Sequence, residues 1–246
     1  MKICLSLAAC CLYWTPTAVA FEGRIAAEMA RGGQSEALLY TVGTNFLRVE
    51  MTNGLYGPTP VDILDLQSGQ LTLLFPQNRS FVRLPAAAET RAAAAVAPTI
   101  ATAPGPAAFT TPPNMPAMPM GPMPLQKMEL QATGQTTNIL GFACRQYEIK
   151  QRGRTMEIWA TDQLLPFVAY ARNQPRPGGG RMMEERWPAL LAAQKLFPLR
   201  ASLRQDNGVE RFRFEVKSVT SEKLTDEGGG LFQPPPGYFE TQPLPF

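Results

Sequence analysis

Leu199-Arg200-Ala201-Ser202-Leu203-Arg204-Gln205-Asp206-Asn207-Gly208-Val209-Glu210-Arg211-Phe212-Arg213-Phe214-Glu215-Val216-Lys217-Ser218-Val219 is the stretch that decides the fold. Two runs, 199–205 and 209–219, flank Asp206-Asn207-Gly208. Asn-Gly between alternating runs is the strongest short hairpin signal, because both central residues of a type I′ turn need φ > 0. In the second run Phe212, Phe214 and Val216 share one side, and Arg211, Arg213, Glu215 and Lys217 the other. A period of two marks a strand with one dry and one wet face. The stretch predicts an antiparallel hairpin whose aromatic face is buried.

The same alphabet extends outward in both directions. Residues Phe21 to Leu84 read as consecutive strands, with Gly43-Thr44, Ser68-Gly69 and Pro76-Gln77-Asn78 as turns. Leu47-Arg48-Val49-Glu50-Met51 alternates apolar and charged residues, while Val61 to Leu66, Leu71 to Phe75 and Ser80 to Leu84 are short β-forming runs. After a break, strands are expected to resume at Lys127, with Met128-Glu129-Leu130, Phe142 to Lys150 and Thr155 to Ala160, the last two joined at Arg152-Gly153. Arg181 to Phe197 is the best helix candidate, since Met183, Trp187, Leu190 and Leu191 share one face at helical spacing. Pro188 must kink that helix or else start it. Pro175 to Gly180 reads as a loop and Leu231 to Tyr238 as an extended tail.

The break itself, Pro85 to Pro124, is rich in alanine and proline and nearly free of charge. Prolines at 98, 104, 106, 112, 113, 116, 119, 122 and 124 oppose helix and sheet alike. It is expected to be a flexible or polyproline-like insertion in one domain, residues 21–246. At the other end, Lys2, an apolar run from Ile3 to Trp14 and Ala18-Val19-Ala20 fit a secretory signal of residues 1–20 cleaved before Phe21. Leu7-Ala8-Ala9-Cys10 also resembles a lipobox, which would leave a lipoprotein anchored through Cys10. The exported or periplasmic reading and the anchored one both stand. No segment after the signal is a candidate membrane span.

Composition excludes several chemistries. The chain has no histidine, so Ser-His-Asp triads, Cys-His dyads and histidine-ligated zinc are unavailable. Beyond residue 20 the 22 basic and 20 acidic side chains nearly balance, which gives no reason to expect nucleic acid as a partner. Of four cysteines only Cys144 lies outside the signal, so no internal disulfide framework is expected. Cys144 reads as a small buried hydrophobe; the other reading is a reactive thiol, with no histidine to activate it. Met115, Met118, Met120 and Met123 could offer thioethers to Cu(I), but no Cys or His reinforces them, and a sticky tract or a partner-binding segment are the plainer readings. Gly178-Gly179-Gly180 and Gly228-Gly229-Gly230 lack the Lys-Ser/Thr of a phosphate loop. Glu184-Glu185, adjacent on a helix, do not face each other as catalytic carboxylates would. No cofactor and no metal are expected.

Several pieces then fall in a familiar order. They are Asp65-Leu66 through Leu84 with Phe75-Pro76-Gln77-Asn78-Arg79-Ser80-Phe81, Gly141-Phe142-Ala143-Cys144-Arg145-Gln146-Tyr147 followed by Glu157-Ile158-Trp159-Ala160, Phe197-Pro198-Leu199-Arg200, and Phe232 with Pro235, Gly237 and Tyr238. In this order the chain resembles uncharacterised bacterial periplasmic domains related to the LolA/LolB lipoprotein carriers. The resemblance implies a mainly β fold: a curved antiparallel sheet, or half-barrel, covered by one or two helices. It also implies a concave apolar face that shelters acyl chains. The expected function is a non-enzymatic cell-envelope binding module for a lipid, an acyl chain or a lipidated protein. The alternative is a periplasmic structural or sensory module with a filled core that docks an envelope protein. The residues expected to line the ligand side are Leu47, Val49, Leu71, Leu73, Phe75, Trp187, Leu191, Phe212, Phe214 and Val216. A filled core would use the same residues.

Overall fold

The computed structural model describes residues 21–52, 59–86, 128–151, 153–170, 183–224 and 230–242. Twelve strands form one sheet: β1 Gly23–Arg31, β2 Gln34–Val42, β3 Phe46–Met51, β4 Val61–Asp65, β5 Leu71–Phe75, β6 Ser80–Leu84, β7 Gln131–Ile139, β8 Phe142–Lys150, β9 Arg154–Thr161, β10 Phe197–Gln205, β11 Glu210–Ser221 and β12 Phe239–Glu240. Their spatial order is β12-β6-β5-β4-β3-β2-β1-β11-β10-β9-β8-β7. Every pairing is antiparallel except the two-residue β12–β6 contact. The sheet is open and curved, with β7 and β12 at its two edges. One helix, α1 Met183–Ala193, is present among the described residues. The mainly β architecture with a covering helix is the one expected.

Local chemistry explains most of the turns. Gly43 N–H donates to Phe46 O at 2.8 Å and closes the β2–β3 turn. Asp65 Oδ1 accepts from Gln67 and Ser68 N–H at 2.8 and 3.1 Å, an Asx turn joining β4 to β5. Pro76–Asn78 is a 3₁₀ turn ending on Arg79 in the left-handed region at φ 51°.

Three sequence expectations need correction. The β10–β11 connection is not a two-residue type I′ turn. Gly208 has φ 79°, Asn207 does not have positive φ, and Gln205 pairs with Val209 around a three-residue loop. The register slip between Leu203 and Arg204 absorbs the extra residue. Helix α1 stops at Ala193 rather than running to Phe197, which opens β10. Of the two alternatives for Pro188, the start is ruled out: it lies inside α1. Its missing N–H costs about 3 kcal/mol. Met183, Trp187 and Leu191, exposed by 3% or less, each return about 1.5–3 kcal/mol by burial, so packing wins. Met128-Glu129-Leu130, expected as a strand, is irregular; the strand is the polar β7 that follows it, Gln131-Ala132-Thr133-Gly134-Gln135-Thr136-Thr137-Asn138-Ile139, which carries no alternation. It is an edge strand with none of its residues buried.

The expected signal (1–20), the four methionines at 115–123, the Pro175–Gly180 loop and all of the 85–124 insertion except Pro85 and Ala86 lie outside the described residues.

Candidate functional site

Strand register assigns each side chain to a face, because directly opposed residues point the same way. One row runs Ile25–Tyr40–Val49–Asp62–Leu73–Val82 across β1 to β6. A parallel row runs Gly23–Val42–Leu47–Leu64–Leu71–Leu84. On the far side Met29, Phe214, Ala201, Ile158 and Tyr147 continue the same surface over β11 to β8. This is the inner, concave face, and it is apolar along almost its whole width.

Among the described residues its cover is partial. Trp187 of α1 packs on Phe212 and Phe214, with ring centroids 5.7 and 6.0 Å apart. Phe167, in the irregular segment after β9, meets Trp187, Phe214, Phe197 and Tyr40 at 5.0, 5.4, 5.5 and 6.4 Å. That segment reaches as far as β4, where Tyr170 Oη donates to Pro60 O at 2.7 Å. Beneath it lies one continuous core from β8 through β3.

All ten residues expected to line the ligand side can now be placed. Leu47, Val49, Trp187, Leu191, Phe212, Phe214 and Val216 sit in that continuous core, each exposed by 4% or less. Leu71, Leu73 and Phe75 share their face but lie outside the core, on β5. Leu71 is buried; Leu73 and Phe75 are half-buried, as are Leu64, Val82 and Leu84 beside them. The inner face is therefore filled over one part and less covered over β4–β6.

Two polar groups stand in the apolar row: Tyr40 within the filled part, and Asp62 just past its β3 edge. Tyr40 is 0% exposed and its hydroxyl makes no hydrogen bond among the described residues. Leaving a buried hydroxyl unsatisfied costs about 1–3 kcal/mol. Asp62 is also buried and is engaged within the chain. Burial first, and the Asp62 carboxylate second, hold the Tyr40 hydroxyl above its ordinary value. Burial, again with a contribution from Asp62, raises Tyr170 as well. Sequence reasoning missed both residues. Tyr40 was findable, being in phase with Leu38 and Val42. Asp62 alternates with Val61 and Ile63, and alternation alone would send it to solvent.

The reason lies on the opposite face. Val61, Ile63, Leu74 and Phe81 form a second small core with Phe232 of the C-terminal tail, and Phe46, Leu224, Leu231 and Tyr238 pack around it. Phe232 stacks on Phe46 at 5.8 Å, and Arg48 Nη1 donates to Leu231 O at 3.1 Å. Gly43 makes room: a Cβ there would stand 2.8 Å from the Phe232 ring. Strands β4 and β5 thus bury residues on both faces, and the Leu71–Phe75 run of β5 is apolar but for Thr72.

Elsewhere the outer face carries ion pairs. Lys217 reaches Glu215 at 2.7 Å and Glu28 at 3.1 Å, and Arg200 reaches Glu215 at 3.6 Å. Ser35 and Lys217 lower the Glu28 carboxyl, and Lys217 lowers Glu215. Of these groups Glu28, Ser35 and Lys217 border an outer hollow of about 380 Å³ lined also by Ala26, Ala37 and Leu39, with Glu28 and Lys217 paired to each other. Cys144 is buried, donates weakly to Phe142 O at 3.5 Å, and its thiol is raised by burial. No group of three or more His, Cys, Asp or Glu side chains able to hold a metal occurs among the described residues. No helix among them is long and apolar enough to cross a membrane.

Residues 119–238 match the model of a domain of unknown function, DUF4412. No curated protein matches the chain. Among solved structures, the chain is similar to an uncharacterized conserved protein from Thermus thermophilus, at 9% identity and a TM-score of 0.48 over 92% of this chain and 93% of that one. It is also similar to the MucA/MucB complex of Pseudomonas aeruginosa, at 11% identity and a TM-score of 0.38 over 83% of this chain and 53% of that one. LolA superfamily protein NE2245 from Nitrosomonas europaea matches at 11% identity and a TM-score of 0.29, over 85% and 88% of the two chains. Function must be read from the chain's own residues.

Proposed function

We propose that the chain is a non-enzymatic binding module of the cell envelope that takes an acyl chain, of a lipid or of a lipidated protein, on the inner face of β4–β6. The observation that carries this reading is the unequal cover of one apolar surface. Helix α1 and the 162–170 segment fill the face over β8 to β3, while Leu64, Leu73, Phe75, Val82 and Leu84 remain half-buried on the same face. Burial alone supplies the affinity, at about 0.8 kcal/mol for each CH₂ removed from water. No catalytic group is required, and the histidine-free sequence fits that economy. The secretory pattern of residues 1–20 supports an exported, periplasmic location, with anchoring through Cys10 as the variant form.

A second reading has an observation of its own. Seven of the ten residues expected to line the ligand side are packed in a continuous core. A module with a filled core would bind a protein partner on a face or an edge and hold no lipid. Native mass spectrometry of the protein extracted from its own membranes separates the two. Co-purifying acyl lipid supports the first reading. A lipid-free chain, with no displacement of a fluorescent fatty acid, supports the second.

A further inference from the structure

We propose that Tyr40 is the polar anchor of the site: its hydroxyl donates to a neutral carbonyl oxygen of the ligand, so the ligand class is an acyl ester or amide rather than a free fatty acid. The inference rests on the acyl-binding reading and names which acyl compounds that site takes.

Geometry is the first support. Tyr40, Val49, Asp62, Leu73 and Val82 face one another in a single row on the inner face. Adjacent strands lie ~4.8 Å apart, so Tyr40 and Asp62 stand about 10 Å apart at their Cα atoms, within reach of two side chains converging over Val49. Packing is the second. The Tyr40 ring is held edge-on by Phe197 at 5.7 Å and beside Phe167 at 6.4 Å, inside the filled core and one strand short of its β3 edge. On its other side the row runs through buried Val49 and Asp62 and then into half-buried Leu73 and Val82. Hydrogen-bond accounting is the third. The hydroxyl is fully buried yet has no partner among the described residues. Buried polar groups are almost always satisfied, and an exception needs a reason; a ligand acceptor supplies one here.

Charge decides the chemistry of that ligand. The Asp62 carboxylate lies in the same row and its negative field is felt at Tyr40. An anionic head beside it would be repelled as well as desolvated. A neutral ester or amide carbonyl accepts from the hydroxyl without that cost, while its chain lies over Leu73, Val82 and Leu84.

The test uses the full chain and Tyr40→Phe, with displacement of N-phenyl-1-naphthylamine by methyl laurate, laurate and dodecane. Wild type should take methyl laurate about tenfold more tightly than laurate, as one buried hydrogen bond against one repelled charge implies. Tyr40→Phe should weaken methyl laurate about tenfold, leave dodecane unchanged, and melt no lower than wild type without ligand. Equal binding of all three compounds, or a Tyr40→Phe chain indifferent to the ester, overturns the anchor and leaves acyl binding standing. A ligand-free Tyr40→Phe chain that melts well below wild type, or fails to fold, shows that the hydroxyl serves the fold and overturns the anchor too. Displacement by none of the three sinks both the anchor and the acyl-binding reading.

Discussion

Replacing Trp187 with alanine tests whether α1 belongs to the core or merely rests on it. Trp187 is 3% exposed and its ring meets Phe167, Phe212 and Phe214 at 5.0, 5.7 and 6.0 Å. Removing a buried aromatic costs about 3–5 kcal/mol in transfer and cavity terms. Each aromatic contact is worth about 0.5–1.5 kcal/mol beyond area, so three of them place Trp187→Ala at the upper end of that range. At about 2–4 °C per kcal/mol for a chain of this size, the melting temperature should fall by about 10–20 °C. Trp159 is the internal control. It is half-buried on β9 and donates to Glu157 at 3.0 Å, so Trp159→Ala should cost less than half as much. Denaturant titrations followed by far-ultraviolet circular dichroism give both values with a common slope. If Trp187→Ala lies within about 1 kcal/mol of wild type, then α1 is a detachable lid and the continuity of the core across it is wrong.

Other consequences follow from the same packing. Cys144 should react with a bulky maleimide only as fast as the chain opens, and Cys144→Ser should cost about 1–3 kcal/mol, the penalty for a poorly paired hydroxyl. Fast labelling of the folded protein would contradict its burial. Gly43→Leu should push Phe232 off the outer face and render the C-terminal tail sensitive to protease; an unchanged digestion pattern would show that the tail is not held there. Raised thiol and phenol values imply stability that is fully present below the ordinary values of about 8.5 and 10, and that declines as pH rises beyond them, because the unfolded chain ionises first. Melting curves from pH 8 to 11 should show that decline, and Tyr40→Phe should reduce it.

Much of the fold was legible because its signals are local. The alternation of Phe212, Phe214 and Val216 against Arg211, Arg213, Glu215 and Lys217 fixes both strand and face, and the structure buries the first set and exposes or half-exposes the second. Turn residues located the connections at 43–44, 68–69, 76–78 and 206–208. The spacing of Met183, Trp187, Leu190 and Leu191 located the helix and its buried side, though not its end, since Phe197 suits helix and strand alike. The β7 strand escaped because an exposed edge strand has no dry face to impose a pattern.

What the sequence alone determined, then, is the kind of structure: strands, turns, one helix and the inner side of those strands that bury a single face. Residues a few positions apart carry that information, because the side-chain period of a strand or helix is a property of the backbone itself. Only the tertiary structure decided which residues share the candidate site. Asp62 alternates with Val61 and Ile63, and local logic would give it to water. The C-terminal tail, some 170 residues away, lays Phe232 against the outer face, covers Val61 and Ile63 there, and leaves Asp62 on the inner face in the same row as Tyr40. Which side of a strand counts as inside depends on what the rest of the chain brings to each face, and no period within five residues can record that.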